Sequence, residues 1–127
     1  MIFEAIIVDD EAPARVELTN QLERTGRVKV VAEAVCLQEG IEKMRHQRID
    51  VAFIDHNISG ANTSLLPEAL PSFAKVPMLI YMTAFSDVQD EPFGVDPMGY
   101  LVKPVDDEKL DRIIEAIESC YARELCS

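Results

Sequence analysis

The stretch Val51-Ala52-Phe53-Ile54-Asp55 places four consecutive apolar residues immediately before a carboxylate. A strand with one solvated face alternates apolar and polar residues, whereas a strand covered on both faces is apolar throughout. This run therefore predicts a central strand of a parallel sheet that has helices on both of its faces. The carboxylate of Asp55 is expected at the carboxyl end of that strand.

The same arrangement, an apolar run followed by a chemically active residue, occurs at three other places in the chain. These are Asp9 and Asp10 after Ile6-Ile7-Val8, Thr83 after Met78-Leu79-Ile80-Tyr81-Met82, and Lys103 after Tyr100-Leu101-Val102. In an open parallel sheet, ligands bind in the crevice at the carboxyl ends of the strands. We therefore predict that these acids, this hydroxyl and this ammonium group lie together in one site.

Periodic segments between the apolar runs predict helices. Strands are predicted over 2–8, 28–34, 51–55, 76–83 and 100–103, and helices over 11–24, around the stripe of Leu37, Ile41 and Met44, over 65–73, and from Asp106 or Asp107 onward. Alternating strands and helices predict an α/β fold, here a three-layer, doubly wound, five-stranded parallel sheet. Prolines make the third helix, and a fourth helix within 84–99, short or irregular.

Length and composition restrict the class of protein. The 127 residues predict one domain over 1–127, and the 48% of apolar residues are enough for a core. The net charge of −11 argues against direct binding of nucleic acid by this domain. We expect no membrane span, because no run approaches about 18 apolar residues. Three scattered cysteines predict reduced thiols and a cytoplasmic location.

The residue types at the strand ends suit phosphoryl chemistry. Adjacent Asp9 and Asp10 could bind a hard divalent cation, and Asp55 could be a nucleophile that forms an acyl phosphate. Thr83 and Lys103 could bind phosphoryl oxygens. Each residue alone is more often an ordinary turn or strand-end residue, so the prediction depends on their combination.

Together these motifs resemble the receiver domain of two-component response regulators. The resemblance covers residues 2–123 and depends on four segments: Ile7-Val8-Asp9-Asp10-Glu11, Asp50-Val51-Ala52-Phe53-Ile54-Asp55, Met82-Thr83-Ala84 and Tyr100-Leu101-Val102-Lys103-Pro104. The segment Asp10-Glu11-Ala12-Pro13-Ala14-Arg15 is most similar to receivers attached to LytTR-type DNA-binding domains. The resemblance implies a flavodoxin-like sheet with strand order 2-1-3-4-5.

The resemblance also implies a cofactor and roles for the acids. Asp55 would accept a phosphoryl group from a sensor histidine kinase. The cofactor would be Mg²⁺, with Asp10 as a direct ligand and Asp9 as a ligand through water. Asp55 and the backbone carbonyl of Asn57 would complete the protein ligands.

The remaining positions of the motif imply a switch. Thr83 and Lys103 would hold the phosphoryl oxygens, and Tyr100 would turn inward when Thr83 moves toward the phosphate. Tyr100 is also compatible with an ordinary half-buried aromatic residue of a strand. The switch would alter the face formed by the fifth strand and the charged last helix. That face could bind an output domain, a downstream protein or a second copy of the chain.

The sequence departs from the family pattern at several positions. Ser59 stands where a proline is usual and Thr63 where a glycine is usual. We interpret His56, next to the acceptor, as an exposed loop residue. The Pro- and Gly-containing segment 84–99 replaces a regular helical run. A degenerate receiver that acts as a phosphorylation-independent interaction module therefore remains an alternative.

Two other classes of protein fit the sequence less well. A phosphatase of the haloacid-dehalogenase type would carry its nucleophile after the first strand in an Asp-x-Asp pattern, whereas this strand ends in Asp9-Asp10-Glu11. A flavodoxin-like electron carrier would need a loop of Ser, Thr and Gly at that position. We therefore expect no enzyme, apart from catalysis of the domain's own phosphorylation and dephosphorylation.

Overall fold

Five parallel strands form a single sheet, in the order β2-β1-β3-β4-β5. The computed structural model describes residues 2–58, 65–84 and 94–126. The strands are β1 (Phe3–Val8), β2 (Val28–Ala34), β3 (Val51–Asp55), β4 (Met78–Thr83) and β5 (Gly99–Val102). All four pairings are parallel, which confirms the predicted sheet and its strand order. The predicted bounds of β2 and β3 match the observed ones, and those of the other three strands differ by at most two residues.

The helices of the described residues connect these strands. They are α1 (Ala12–Arg24), α2 (Leu37–His46), α3 (Leu65–Ala69) and α4 (Asp107–Cys126). Pro13 occupies the first turn of α1, where its missing N–H group leaves no helical bond unmade. Gly26, just beyond the end of α1, has a φ of 71°, a conformation that disfavours residues with a Cβ atom.

Helix α4 begins as predicted. The Asp106 carboxylate accepts a hydrogen bond from the N–H group of Lys109 at 2.8 Å, which satisfies a free donor of the first turn. Leu110, Ile114 and Ile117 then form a buried stripe along the helix.

The third helix is irregular at its carboxyl end, as the prolines predicted. Within the described residues, helix α3 spans Leu65–Ala69 and continues into a 3-10 turn at Leu70–Ser72, with Pro71 inside it. The predicted irregular fourth helix depends on residues 85–93, which lie outside the described residues.

Apolar side chains form one core on each face of the sheet. On one face, Ile54 and Leu66 belong to a cluster that also includes α2. On the other face, Phe53 packs in a cluster with Leu22 of α1 and Ile114 of α4. Two helical layers therefore enclose the sheet, as predicted. No helix among residues 2–58, 65–84 and 94–126 is long and apolar enough to cross a bilayer.

The chain order creates a crevice beside β1. The connection after β1 leads outward to β2, whereas β3 lies on the opposite side of β1. The helices that follow β1 and β3 therefore lie on opposite faces of the sheet and leave a gap between the two strand ends. Such a reversal is where open α/β sheets bind ligands.

Candidate phosphoacceptor and metal site

Three aspartates converge at this crevice. Asp9 directly follows β1 and is 1% exposed, and Asp55 is the last residue of β3 and is 7% exposed. Asp10 is exposed at the rim. One carboxylate oxygen from each of the three lies within 4.8 Å of the others. The predicted convergence of the acids is therefore present in the structure.

Backbone N–H groups hold the two buried carboxylates. The N–H of Glu11 donates to Oδ1 of Asp9 at 2.9 Å, and the N–H of Asn57 donates to Oδ1 of Asp55 at 3.1 Å. Each contact joins an aspartate to the residue two positions later, which is a local turn that Asp readily forms. The turns leave the second oxygen of each carboxylate available at the crevice.

Lys103 contacts both of these second oxygens. Its Nζ atom lies 3.5 Å from Oδ2 of Asp9 and 3.5 Å from Oδ2 of Asp55. The backbone N–H of Lys103 donates to the carbonyl of Thr83 at 2.7 Å, which extends the pairing of β4 and β5 by one residue. The lysine side chain is 32% exposed, so the ammonium group lies between the buried acids and solvent.

The donor set fits a magnesium ion. Mg²⁺ prefers oxygen ligands and commonly takes one or two carboxylates while it keeps several waters. Three clustered carboxylates with one ammonium group carry a formal charge of about −2, which a divalent cation would compensate. The turn after Asp55 also places the Asn57 backbone beside the acids, where its carbonyl is the predicted fourth ligand.

The two predicted switch residues lie on neighbouring strands. Thr83 ends β4 and is 3% exposed, and Tyr100 is half-buried on β5. The Tyr100 ring lies edge-on to the ring of Tyr81, with centroids 6.1 Å apart and an angle of 76°. The hydroxyl of Tyr81 donates to the carbonyl of Val95 at 2.5 Å. Tyr81, which we did not predict to have a role, therefore connects Tyr100 with the chain preceding β5.

His56 lies in the turn after β3, as predicted, but the prediction that its side chain is exposed is wrong. Its backbone N–H donates to the carbonyl of Met82 at 2.7 Å, so pairing with β4 continues one residue beyond β3. This pairing holds the side chain half-buried. Its Nε2 atom is buried and has no hydrogen-bond partner within the described part of the chain.

Arg15 was not among the predicted site residues, but it contacts the site. Its Nη1 atom donates to the backbone carbonyl of Asp9 at 2.7 Å, and its Nε atom donates to Glu33 of β2 at 3.3 Å. A signal was present in the sequence, because a cation one helical turn after the Asp-Asp-Glu motif can point back toward it.

The charged side chains of α4 point in more than one direction. Asp111 and Glu118 each lie 3.1 Å from Arg27, at the start of β2. Their spacing of two helical turns turns both acids toward the α1 side. Arg112 instead pairs with Glu108 at 2.5 Å within the exposed part of the helix.

The fold and this arrangement of residues define a receiver domain. The family model of the response regulator receiver domain matches residues 5–115, so the chain belongs to that family. It is therefore a receiver domain of the response regulators of two-component systems, a class distinct from classical enzymes.

Relatives and solved structures agree with this assignment. The chain is 32% identical to the sensory transduction protein LytT of Bacillus cereus over 109 aligned residues. The alignment covers 86% of this chain and 44% of that protein. It is 34% identical to LytT of Enterococcus faecalis over 110 aligned residues. That alignment covers 87% of this chain and 46% of that protein. These relatives confirm the predicted similarity to LytTR-type regulators. The chain spans less than half of their length.

Two solved receiver domains share the fold. The REC domain of AraT from Geobacillus stearothermophilus has a TM-score of 0.80 and 24% identity, over 98% of this chain and 99% of that one. The signal receiver domain of a modulated diguanylate cyclase from Desulfovibrio desulfuricans has a TM-score of 0.75 and 28% identity. The match covers 97% of this chain and 99% of that domain.

Proposed function

We propose that this domain accepts a phosphoryl group on Asp55 from a sensor histidine kinase, in the presence of Mg²⁺. The observation that supports this proposal most strongly is the contact of one ammonium group with two buried carboxylates beside a third, exposed one. An isolated structural ion pair would need one carboxylate. Here the carboxylates in the crevice beside β1 carry more negative charge than Lys103 can balance, which is typical of a ligand site.

The proposed transfer needs little covalent chemistry from the protein. An oxygen of Asp55 attacks the phosphorus atom, an O–P bond forms, and the P–N bond of the phosphohistidine breaks. The electron pair of that bond leaves with the imidazole ring. Lys103, which already contacts Oδ2 of Asp55 at 3.5 Å, would balance charge on the transferred group. Asp9, Asp10, Asp55 and the Asn57 carbonyl would hold Mg²⁺, which neutralises phosphoryl oxygens when bound.

The acyl phosphate would then act on Thr83 and Tyr100. Thr83 is buried at the end of β4, the strand adjacent to β3, so its hydroxyl would move toward a phosphoryl group on Asp55. That movement would favour the inward position of Tyr100 on β5. A ligand that binds one of two arrangements more tightly shifts the population toward it. The altered face of β5 and α4 would be the output.

We further propose that residues 1–127 act as one receiver unit within a cytoplasmic signalling pathway. Its relatives include the transcriptional regulatory protein YpdB of Escherichia coli, which shares 24% identity and is about twice as long. The unit would act on an output domain or a downstream protein. Its net charge of −11 makes direct contact with nucleic acid unfavourable.

Phosphorylation by acetyl phosphate tests the proposal. Wild type, Asp55→Asn, Asp10→Asn and the control Asp107→Asn, an exposed acid on α4, are incubated with acetyl phosphate at increasing Mg²⁺ and separated by phosphate-affinity electrophoresis. We expect a Mg²⁺-dependent shifted band in wild type and Asp107→Asn, and none in the other two. Absence of the band in wild type, also with a phosphorylated kinase domain as donor, would instead support the degenerate receiver.

A further inference from the structure

The exposed acid of the cluster lacks the support that the two buried acids have. Asp9 and Asp55 each accept a backbone N–H and contact Lys103. Within the described residues, the Asp10 carboxylate has no comparable hydrogen bond or ion pair. Under the proposed function, Asp10 is the direct ligand of the metal ion. The backbone that carries Asp10 therefore contributes more to its position than a side-chain contact does.

Arg15 fixes the backbone at this point. Its Nη1 atom donates a hydrogen bond of 2.7 Å to the carbonyl of Asp9. The donor is charged, and such charge-assisted hydrogen bonds are short and strong. Arg15 is itself held in the first turn of α1, where its N–H donates to the carbonyl of Glu11 at 3.1 Å. Its side chain is 16% exposed, and Glu33 of β2 binds its Nε atom.

The planarity of the peptide bond connects this contact to Asp10. The carbonyl oxygen of Asp9 lies in one plane with the nitrogen and the Cα atom of Asp10. When Arg15 holds that oxygen, it fixes the orientation of the plane and therefore the position of the Asp10 Cα atom from which the side chain extends. Glu33 limits the remaining freedom of the guanidinium group and offsets its charge beside a cation site.

From these contacts we infer that Arg15 and Glu33 form a positioning pair that orients Asp10 for metal binding. The inference rests on the proposed function, because it assumes that Asp10 is a metal ligand. Arginine suits this role better than lysine, since its planar fork carries Nε and Nη1 at fixed directions toward two different acceptors. Loss of a group that orients a metal ligand typically weakens metal affinity by about 10- to 100-fold.

The test measures Mn²⁺ binding by electron paramagnetic resonance on wild type, Arg15→Gln, Arg15→Lys and Glu33→Ala. Arg24→Gln is the matched control, because Arg24 is an exposed arginine at the end of α1 that pairs with Asp107. We expect the Kd for Mn²⁺ to rise about ten-fold in Arg15→Gln and less in Arg15→Lys and Glu33→Ala. Arg24→Gln should bind like wild type.

The dependence of phosphorylation on Mg²⁺ separates positioning from damage to the fold. With acetyl phosphate as donor, Arg15→Gln should need about ten-fold more Mg²⁺ for half-maximal rate but reach a plateau near that of wild type. A lower plateau with unchanged Mg²⁺ dependence would overturn the inference.

Further outcomes separate the inference from the function on which it rests. Unchanged Mn²⁺ affinity in Arg15→Gln, with wild type phosphorylated on Asp55, would overturn the positioning role and leave the proposed function standing. If Arg15→Gln does not fold, an unchanged Mn²⁺ affinity in both Arg15→Lys and Glu33→Ala would likewise overturn the positioning role. Absence of Mn²⁺ binding and phosphorylation in wild type would overturn both proposals.

Discussion

Replacement of Lys103 by Met should have opposite effects on metal binding and on phosphorylation. The substitution keeps most of the side-chain volume and removes the ammonium group that lies 3.5 Å from Asp9 and 3.5 Å from Asp55. Two buried carboxylates and one exposed carboxylate would then remain without this compensating charge. Lys103 opposes the entry of a metal cation, but it would favour the negatively charged phosphoryl group.

The distances set the size of the effect. A pair of unit charges 3.5 Å apart interacts by about 5 kcal/mol at an effective dielectric constant of 20, which is an upper limit for a partly exposed lysine. Removal of one partner of a buried pair commonly costs about 3–5 kcal/mol of folding free energy. A tenfold change in affinity corresponds to about 1.4 kcal/mol, so roughly ten-fold tighter Mg²⁺ binding needs only a fraction of the lost interaction.

The assay combines thermal unfolding with titration by Mg²⁺. Lys103→Met should unfold at lower temperature than wild type without metal and should recover most of the difference at saturating Mg²⁺. Its rate of phosphorylation by acetyl phosphate should fall by about 10²- to 10³-fold, because a group that stabilises the transition state is absent. Lys75→Met is the control, since Lys75 pairs with Asp50 at the opposite end of the sheet, and Mg²⁺ should not restore its stability.

Binding of Mg²⁺ by Lys103→Met with the affinity of wild type, or more weakly, would contradict the first half of the prediction. A phosphorylation rate close to that of wild type would contradict the second half of the prediction.

Two further predictions concern other parts of the molecule. Burial raises the pKa of Asp50, but hydrogen bonds from the N–H of Glu4 and from Lys75 lower it more, so the pKa lies below its usual value. The ionised carboxylate therefore stabilises the fold above the pKa of the unfolded chain, about 4, and this contribution disappears as the pH falls through the folded pKa. Asp50→Asn should be about 1–2 kcal/mol less stable at pH 7 in urea unfolding, and a difference that does not narrow below pH 4 would contradict the assignment. The second prediction concerns self-association through β5 and α4 on phosphorylation. Beryllofluoride, which mimics the phosphoryl group, should increase the sedimentation coefficient of wild type, whereas Arg112→Glu should stay monomeric. The same sedimentation coefficient for both proteins would exclude this contact.

Much of the fold could be predicted from the sequence because local signals agreed with one another. The uninterrupted apolar run before Asp55 identified a doubly covered strand, and Pro13 and Gly26 marked the two ends of α1. Once the sheet was known to be parallel, the convergence of Asp9 and Asp55 followed from topology alone. The strand order came from the family resemblance, since alternating strands and helices are compatible with more than one order.

The contacts that the sequence did not reveal depend on side-chain direction across distant elements. Arg15 reaches the Asp9 carbonyl only because α1 turns back over the end of β1, and no spacing in the sequence encodes its bond to Glu33 of β2. The burial of His56 was not predicted, because the backbone bond to Met82 of β4 lies one residue beyond the apolar run. The fully buried Tyr81 looked like any core residue, and its hydroxyl bond to Val95 depends on the path of the chain before β5.

Identification of the modified residue shows whether Asp55 is the phosphoacceptor. Wild-type protein is phosphorylated with acetyl phosphate and Mg²⁺, and borohydride reduction converts an aspartyl phosphate into homoserine, which peptide mass spectrometry locates. We expect homoserine at position 55, dependent on Mg²⁺, and no conversion in Asp55→Asn. Conversion at Asp9 or Asp10 in wild type, or phosphate retained by Asp55→Asn at the wild-type yield, would contradict this expectation.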